Sequence, residues 1–534
     1  MRCSLKIYTL LSKDIEKKVY FERKCGVAVI TVVSCAALAG IDAFTVAMEV
    51  DLTRAGLPAF TMVGLAEGAV REAKERVMAA LKNTGHKLPP SRITVNLAPA
   101  DKRKAGSGYD LALALGLLGA SGALAPESLQ GWFFVGELSL SGELKPVSGV
   151  LPIAIHAREM GAKGLIVAPD NAAEAAVVEG LPVYSMATLG EVLEHLAGTT
   201  IFEPASPPQA GRSVASEWMH DFSEVKGQEH AKRAIEIAAA GNHNLLFVGP
   251  PGSGKTMLAK RIPTVLPQLT FDETLEVTKI YSVSGLLSKK RSLITERPYR
   301  SPHHTISDVG LVGGGTYPKP GEVSLAHRGV LFLDELPEFK KSVLEVMRQP
   351  LEDGNVTISR SSISLSFPSD FMLVAAMNPC PCGYLTDDRH PCICNGRQVA
   401  NYRSKLSGPL LDRIDLHVEV PAVKYEDLQS TEGVSSEEMR DRIEAARNIQ
   451  SERYRGTPLK TNADLSGRWL EKFISITDAE STFLRNAVDA LGLSARAYTR
   501  VLRISRTIAD LEGAEHIAVP HIAEAINCRT LDRS

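Results

Sequence analysis

The chain has 534 residues, a formal net charge of -2, 44% hydrophobic residues and 23% charged ones. At about 100–200 residues per domain that length predicts roughly three or four domains, and the near-neutral charge excludes any case for nucleic-acid binding made on bulk composition alone. Of the eight cysteines, four crowd into residues 380–394, which excludes a disulfide framework and reads as a reduced, cytoplasmic chain with a candidate metal cluster.

In chain order, residues 1–26 read as an extension outside the fold. Residues 27–41 are apolar and follow a basic stretch, as a signal-peptide core would. They are too short for a typical membrane span, and they run directly into a strand-like segment at 42–50. The expectation is therefore a buried strand pair and no membrane association. From 27 to 200 strand and helix patterns alternate. Arg92-Ile93-Thr94-Val95-Asn96-Leu97 alternates polar and apolar, while Ala69, Ala73, Val77, Ala80 and Leu81 recur at helical spacing. This predicts an α/β domain. Residues 201–220, with Pro204, Pro207 and Pro208, predict a linker. Residues 221–425 return to strand–loop–helix order. Residues 426–534 predict a helical lid with rods at 437–454, 479–491, 495–511 and 520–528, broken at Gly492 and Gly513.

The chemistry lies in the central segment. The apolar strand Leu245-Leu246-Phe247-Val248 leads into Gly249-Pro250-Pro251-Gly252-Ser253-Gly254-Lys255-Thr256, and a helix follows. In that context G-x-x-x-x-G-K-T is a phosphate loop: its backbone N–H groups and the helix N-terminus face the phosphates of ATP. Lys255 is placed to reach the β and γ phosphates, and the Thr256 hydroxyl to bind Mg²⁺. A second apolar strand, Val330-Leu331-Phe332-Leu333, ends in Asp334-Glu335. Asp334 is the candidate Mg²⁺ carboxylate and Glu335 the residue that polarises the attacking water. A third, Met372 to Met377, ends in Asn378, whose amide can orient that water from the γ-phosphate side.

These residues resemble the AAA+ branch that contains magnesium-chelatase motor subunits and minichromosome-maintenance helicases, and within it the ComM/YifB-type chelatase-like ATPases. The resemblance runs from about residue 28 and is most specific at Arg297-Pro298-Tyr299-Arg300-Ser301-Pro302-His303-His304-Thr305, at Pro320-Gly321-Glu322-Val323-Ser324-Leu325-Ala326-His327-Arg328-Gly329 and at Asn378-Pro379-Cys380-Pro381-Cys382-Gly383. It implies an arginine finger at Arg413, acting on a neighbouring subunit's ATP, and a second sensor at Arg496, in cis or in trans. It also implies a pore hairpin over residues 354–365, with Arg360 near its tip. The N-terminal domain resembles the proteolytic domain of Lon, an α/β fold of ribosomal-S5 type. Gly108 stands at the serine position of that domain and Leu151 at the lysine position, so no serine–lysine dyad is expected and the domain is read as one that binds or assembles. Ser107, one residue away, lacks an obvious lysine partner. Lys102-Arg103-Lys104 beside it is either a DNA contact or a solvated basic loop.

Cys380-x-Cys382 and Cys392-x-Cys394 offer four thiolates, the ligand set of tetrahedral structural Zn²⁺, with His390 as a substitute ligand. The alternative is four reduced, uncoordinated thiols. The resemblance as a whole implies a homo-oligomeric, hexameric ring that hydrolyses ATP to migrate branched or single-stranded DNA in natural transformation and recombination. The alternative is a chelatase-like motor that remodels a protein partner.

Overall fold

A computed structural model describes residues 30–53, 57–66, 68–207, 220–287, 292–315, 317–360, 363–387, 389–423 and 433–529. The extension expected at 1–26 and most of the linker expected at 201–220 lie outside these residues. The chain forms two compact units, residues 1–211 with 278–293, and residues 212–277 with 294–534.

The first unit is built on a seven-stranded mixed sheet. Strands β1 (Thr31–Ala39) and β2 (Asp42–Thr53) are the strand pair expected from the apolar run, joined antiparallel from Thr31–Val50 to Ala39–Asp42. β3 (Ala59–Val63) and β4 (Arg92–Ala98) extend the sheet beyond β2, and β5 (Trp132–Phe134), β6 (Gly164–Val167) and β7 (Val183–Ser185) extend it beyond β1. Helix α1 (Gly68–Asn83) buries Val70, Ala73, Val77, Ala80 and Leu81. Val70 takes the inward place expected of Ala69, which is exposed. A larger difference concerns residues 278–293. Sequence order places them in the central segment, yet they pack with the first unit. There the buried Glu174 carboxylate accepts bonds from the Ser282 hydroxyl (2.5 Å) and the Leu151 N–H (2.8 Å), and the Gly149 N–H donates to the Ser282 carbonyl at 3.0 Å. A carboxylate removed from water needs such donors.

The second unit carries a five-stranded parallel sheet. Its strands are β8 (Leu245–Val248), β9 (Tyr299–Arg300), β10 (Val330–Leu333), β13 (Met372–Met377) and β14 (Leu416–Glu419), in spatial order β9-β10-β13-β8-β14. Every residue of β8, β10 and β13 is buried. This is why these strands read as unbroken apolar runs: helices cover both faces of a parallel sheet. β11 (Asn355–Arg360) and β12 (Ile363–Pro368) form the expected hairpin apart from this sheet, with Val356, Ile358 and Phe367 inward and Thr357, Ser359, Ser364 and Ser366 outward. The side chain of Arg360 lies outside the described residues.

The C-terminal rods appear as helices Ser436–Arg453, Asp478–Leu491, Ala495–Leu511 and Val519–Asn527. Capping boxes at Ser435/Glu438 and Thr477/Glu480 start two of them. Met439, Ile443, Val501, Ile504 and Ile522 belong to one apolar core with Leu245, Phe247, Phe332 and Val374. The lid expected from 426 onward thus shares its core with the parallel sheet. Among the described residues no helix is long and apolar enough to cross a membrane.

Candidate active site

The loop after β8 turns through Gly252 (φ 76°) and Gly254 (φ 91°). These left-handed conformations favour glycine and aim consecutive N–H groups into the turn. The helix Lys255–Val265 starts at once. The Lys255 ammonium donates to the carbonyls of Gly249 (2.7 Å) and Pro250 (2.8 Å) and to the Asn378 side-chain oxygen (3.2 Å). Burial pushes this ammonium down to about 8, opposed by the Asp334 carboxylate.

β10 lies between β9 and β13, so its end delivers Asp334 and Glu335 beside this loop. The Thr256 hydroxyl donates to Asp334 at 2.7 Å. Two hard oxygen ligands thereby meet next to the lysine, a donor set that fits Mg²⁺ with waters and phosphate oxygens completing its shell. Glu335 has φ 53°, and its N–H donates to the Asp334 carboxylate at 2.9 Å, which turns its own side chain outward. That carboxylate is 58% exposed and lies 3.2 Å from His304 Nδ1.

The arginines sit elsewhere. Arg413 follows the short helix Gly408–Leu411, and its guanidinium is held within its own chain by Glu352 and the Pro409 carbonyl. Arg496, at the start of helix Ala495–Leu511, pairs with Asp412 at 2.9 Å. Arg496 thus pairs with the residue that precedes Arg413 in sequence, while Lys255, Thr256, Asp334 and Asn378 form the other cluster. His304, Glu352 and Asp412 are the partners that sequence reasoning missed. For His304 a signal existed: it lies four residues beyond β9, whose neighbour is β10.

The cysteines converge as expected. The sulfur atoms of Cys380, Cys382, Cys392 and Cys394 all lie within 4.8 Å of one another and form no disulfide. His390 is not among them, since it pairs with Asp387 at 2.8 Å.

In the first unit Lys104 is fully buried and donates to the carbonyls of Gly64 (3.1 Å) and Pro99. It is thus neither a solvated loop residue nor a contact for DNA, and its ammonium is committed to backbone rather than to Ser107. Lys102 stacks over the Phe44 ring at 4.5 Å.

Three family models match this chain: "Magnesium chelatase, subunit ChlI" over residues 221–428, "Subunit ChlI of Mg-chelatase" over 48–171, and "Magnesium chelatase, subunit ChlI C-terminal" over 433–529. The chain is 45% identical over 505 residues to the competence protein ComM of Haemophilus influenzae, covering 92% of this chain and 96% of the relative. To YifB of Escherichia coli it is 42% identical, covering 94% and 98%. Similarity to the magnesium-chelatase 67 kDa subunit of Chlorobaculum tepidum is 26% over 162 residues, 30% of this chain and 23% of the relative.

Proposed function

Since the chain belongs to the ComM/YifB-type family of magnesium-chelatase-like AAA+ proteins, we propose that it is a cytoplasmic ATPase that works as a homo-oligomeric, hexameric ring and moves branched or single-stranded DNA. The observation that carries the ATPase reading is the meeting of Lys255, the Thr256–Asp334 pair, Glu335 and Asn378 beyond the C-terminal ends of the three inner strands of a parallel sheet.

Each residue then has a task. The N–H groups of Gly252 to Thr256 and the Lys255 ammonium bind the phosphates; Lys255 exchanges its carbonyl partners for phosphate oxygens. Thr256 and Asp334 hold Mg²⁺, which when bound neutralises charge on the phosphates. Glu335 takes the proton of the attacking water, with His304 fixing the carboxylate, and Asn378 orients the same water. Arg413 reaches a neighbour's nucleotide, so that hydrolysis requires assembly, and Arg496, paired with Asp412 of its own chain, serves as the second sensor. The N-terminal Lon-like domain binds or assembles, since Gly108 and Leu151 provide neither nucleophile nor base. The four cysteines hold a structural Zn²⁺.

The depressed Lys255 value has a consequence for pH. Phosphate binds the charged amine, so a neutral Lys255 must first take up a proton. ATP affinity is full below pH 8 and is lost as pH rises through it. Between pH 7 and pH 9 the Kd should weaken by roughly tenfold, with proton uptake growing in calorimetry across the same window. A Kd constant to pH 9 overturns this.

The DNA reading draws on the resemblance to ComM-type ATPases and ring helicases and on the hairpin's outward polar face. Its test is ATP turnover with and without forked or single-stranded DNA, alongside branch migration of a labelled junction. Stimulation and migration are the expected results. Turnover indifferent to every DNA would leave the second reading, a motor that remodels a protein partner. That reading draws on the chelatase names of the family models.

A further inference from the structure

The cysteine loop is part of the nucleotide site's own framework. β13 ends at Met377, Asn378 follows, and Cys380 and Cys382 come directly after. Cys380 is fully buried. A tetrahedral Zn²⁺ with bonds of about 2.3 Å to sulfur sets neighbouring sulfurs about 3.8 Å apart. Here Cys380 and Cys382 are separated by 3.4 Å, Cys380 and Cys392 by 3.7 Å, and Cys382 and Cys392 by 3.6 Å. Two backbone N–H groups already point at sulfur: that of Cys382 at Cys394, and that of Cys394 at Cys392, both at 3.4 Å. Such donors fix the ligands and stabilise thiolate charge.

The loop touches the phosphate site at two places. Through Asn378 it accepts the Lys255 ammonium. Through Gly383 it abuts the phosphate loop. Gly383 has φ 90°, and its N–H donates to the Cys380 carbonyl at 3.0 Å, so the cysteine turn sets its position. A β-carbon there would fall 2.6 Å from Cδ and 2.8 Å from Cγ of Pro251.

We propose that Zn²⁺ held by Cys380, Cys382, Cys392 and Cys394 acts as a clamp on the ATP site, keeping Asn378 and the Pro251 side of the phosphate loop in register, so that removing the metal switches turnover off while the chain stays folded. This rests on reading Lys255 and Asn378 as ATP-site residues.

The test uses the full-length protein, with zinc counted by elemental analysis, folding followed by thermal melting, and ATP binding and turnover measured separately. Wild type should carry one zinc per chain. The double variant Cys392→Ser/Cys394→Ser should carry none, keep a cooperative melting transition, and lose about 10²-fold in kcat, the scale for a small misplacement of reacting groups. Gly383→Ala should keep its zinc and lose turnover by crowding Pro251, and it carries the test alone if the serine variant does not fold. Zinc-free wild type overturns the metal site. A zinc-free variant with normal turnover, or Gly383→Ala with normal turnover, overturns the clamp. Zinc-loaded wild type that neither binds nor cleaves ATP overturns the ATP-site reading instead.

Discussion

Glu335→Gln is expected to lower ATP turnover by about 10²–10⁴-fold, the usual contribution of a positioned base, while nucleotide binding is preserved. The amide keeps the shape of the carboxylate but cannot take a proton from water. The side chain is 58% exposed and its neighbour is His304 Nδ1 at 3.2 Å, so its replacement threatens neither core nor phosphate loop. The variant should retain ATP on a filter or in a fluorescent-nucleotide assay and release no phosphate. Normal hydrolysis would remove Glu335 from the reaction. His304→Ala is the informative companion. It leaves the base and removes what orients it, so a smaller loss in kcat with unchanged KM is expected. A loss equal to that of Glu335→Gln would make His304 a full member of the reaction.

What could be read before the fold was known follows from how local each feature is. The phosphate loop needs only the contiguous residues 245–256, where strand, glycines, lysine and helix start succeed one another. Asp334 and Asn378 are legible because each ends a short unbroken apolar run, the pattern of a strand buried on both faces of a parallel sheet. The pairing of His304 with Glu335 depends on β9 lying beside β10, and strand order is not written in any one segment. Lys104 shows the same limit from the other side. In a basic run it looks solvated, but the turn of chain around Gly64 and Pro99 supplies carbonyls that make its burial tolerable. Residues 278–293 follow the phosphate-loop helix in sequence yet pack with the first unit, where the Ser282 hydroxyl donates to Glu174, a pairing between distant segments that no local pattern announces. Helical spacing places Ala73, Val77, Ala80 and Leu81 inward in α1, and Val70 rather than Ala69 completes that face.

Arg413→Ala should lower kcat by about 10³–10⁵-fold, the range for a finger guanidinium, with ATP affinity little changed. In the single chain Arg413 is engaged by Glu352 and the Pro409 carbonyl, and its buried Nε has no hydrogen-bond partner among the described residues. Arg413 is only 11% exposed but Glu352 is 58% exposed, so the carboxylate end of the pair is open to water, which weakens it. A neighbour's phosphate can displace it, since phosphate presents two oxygens to the guanidinium fork. Lysine at this position lacks the fork and should not restore turnover. Mixing variants tests the trans geometry directly. Arg413→Ala chains keep Lys255, Asp334 and Glu335, while Glu335→Gln chains keep Arg413. Each alone should be inactive. In equal mixtures an interface works when the first kind supplies the site and the second the finger, which random assembly into a ring places at about a quarter of all interfaces. Turnover should therefore appear on mixing and track the co-assembled fraction. A mixture that shares rings and stays inactive would assign Arg413 to its own subunit's nucleotide.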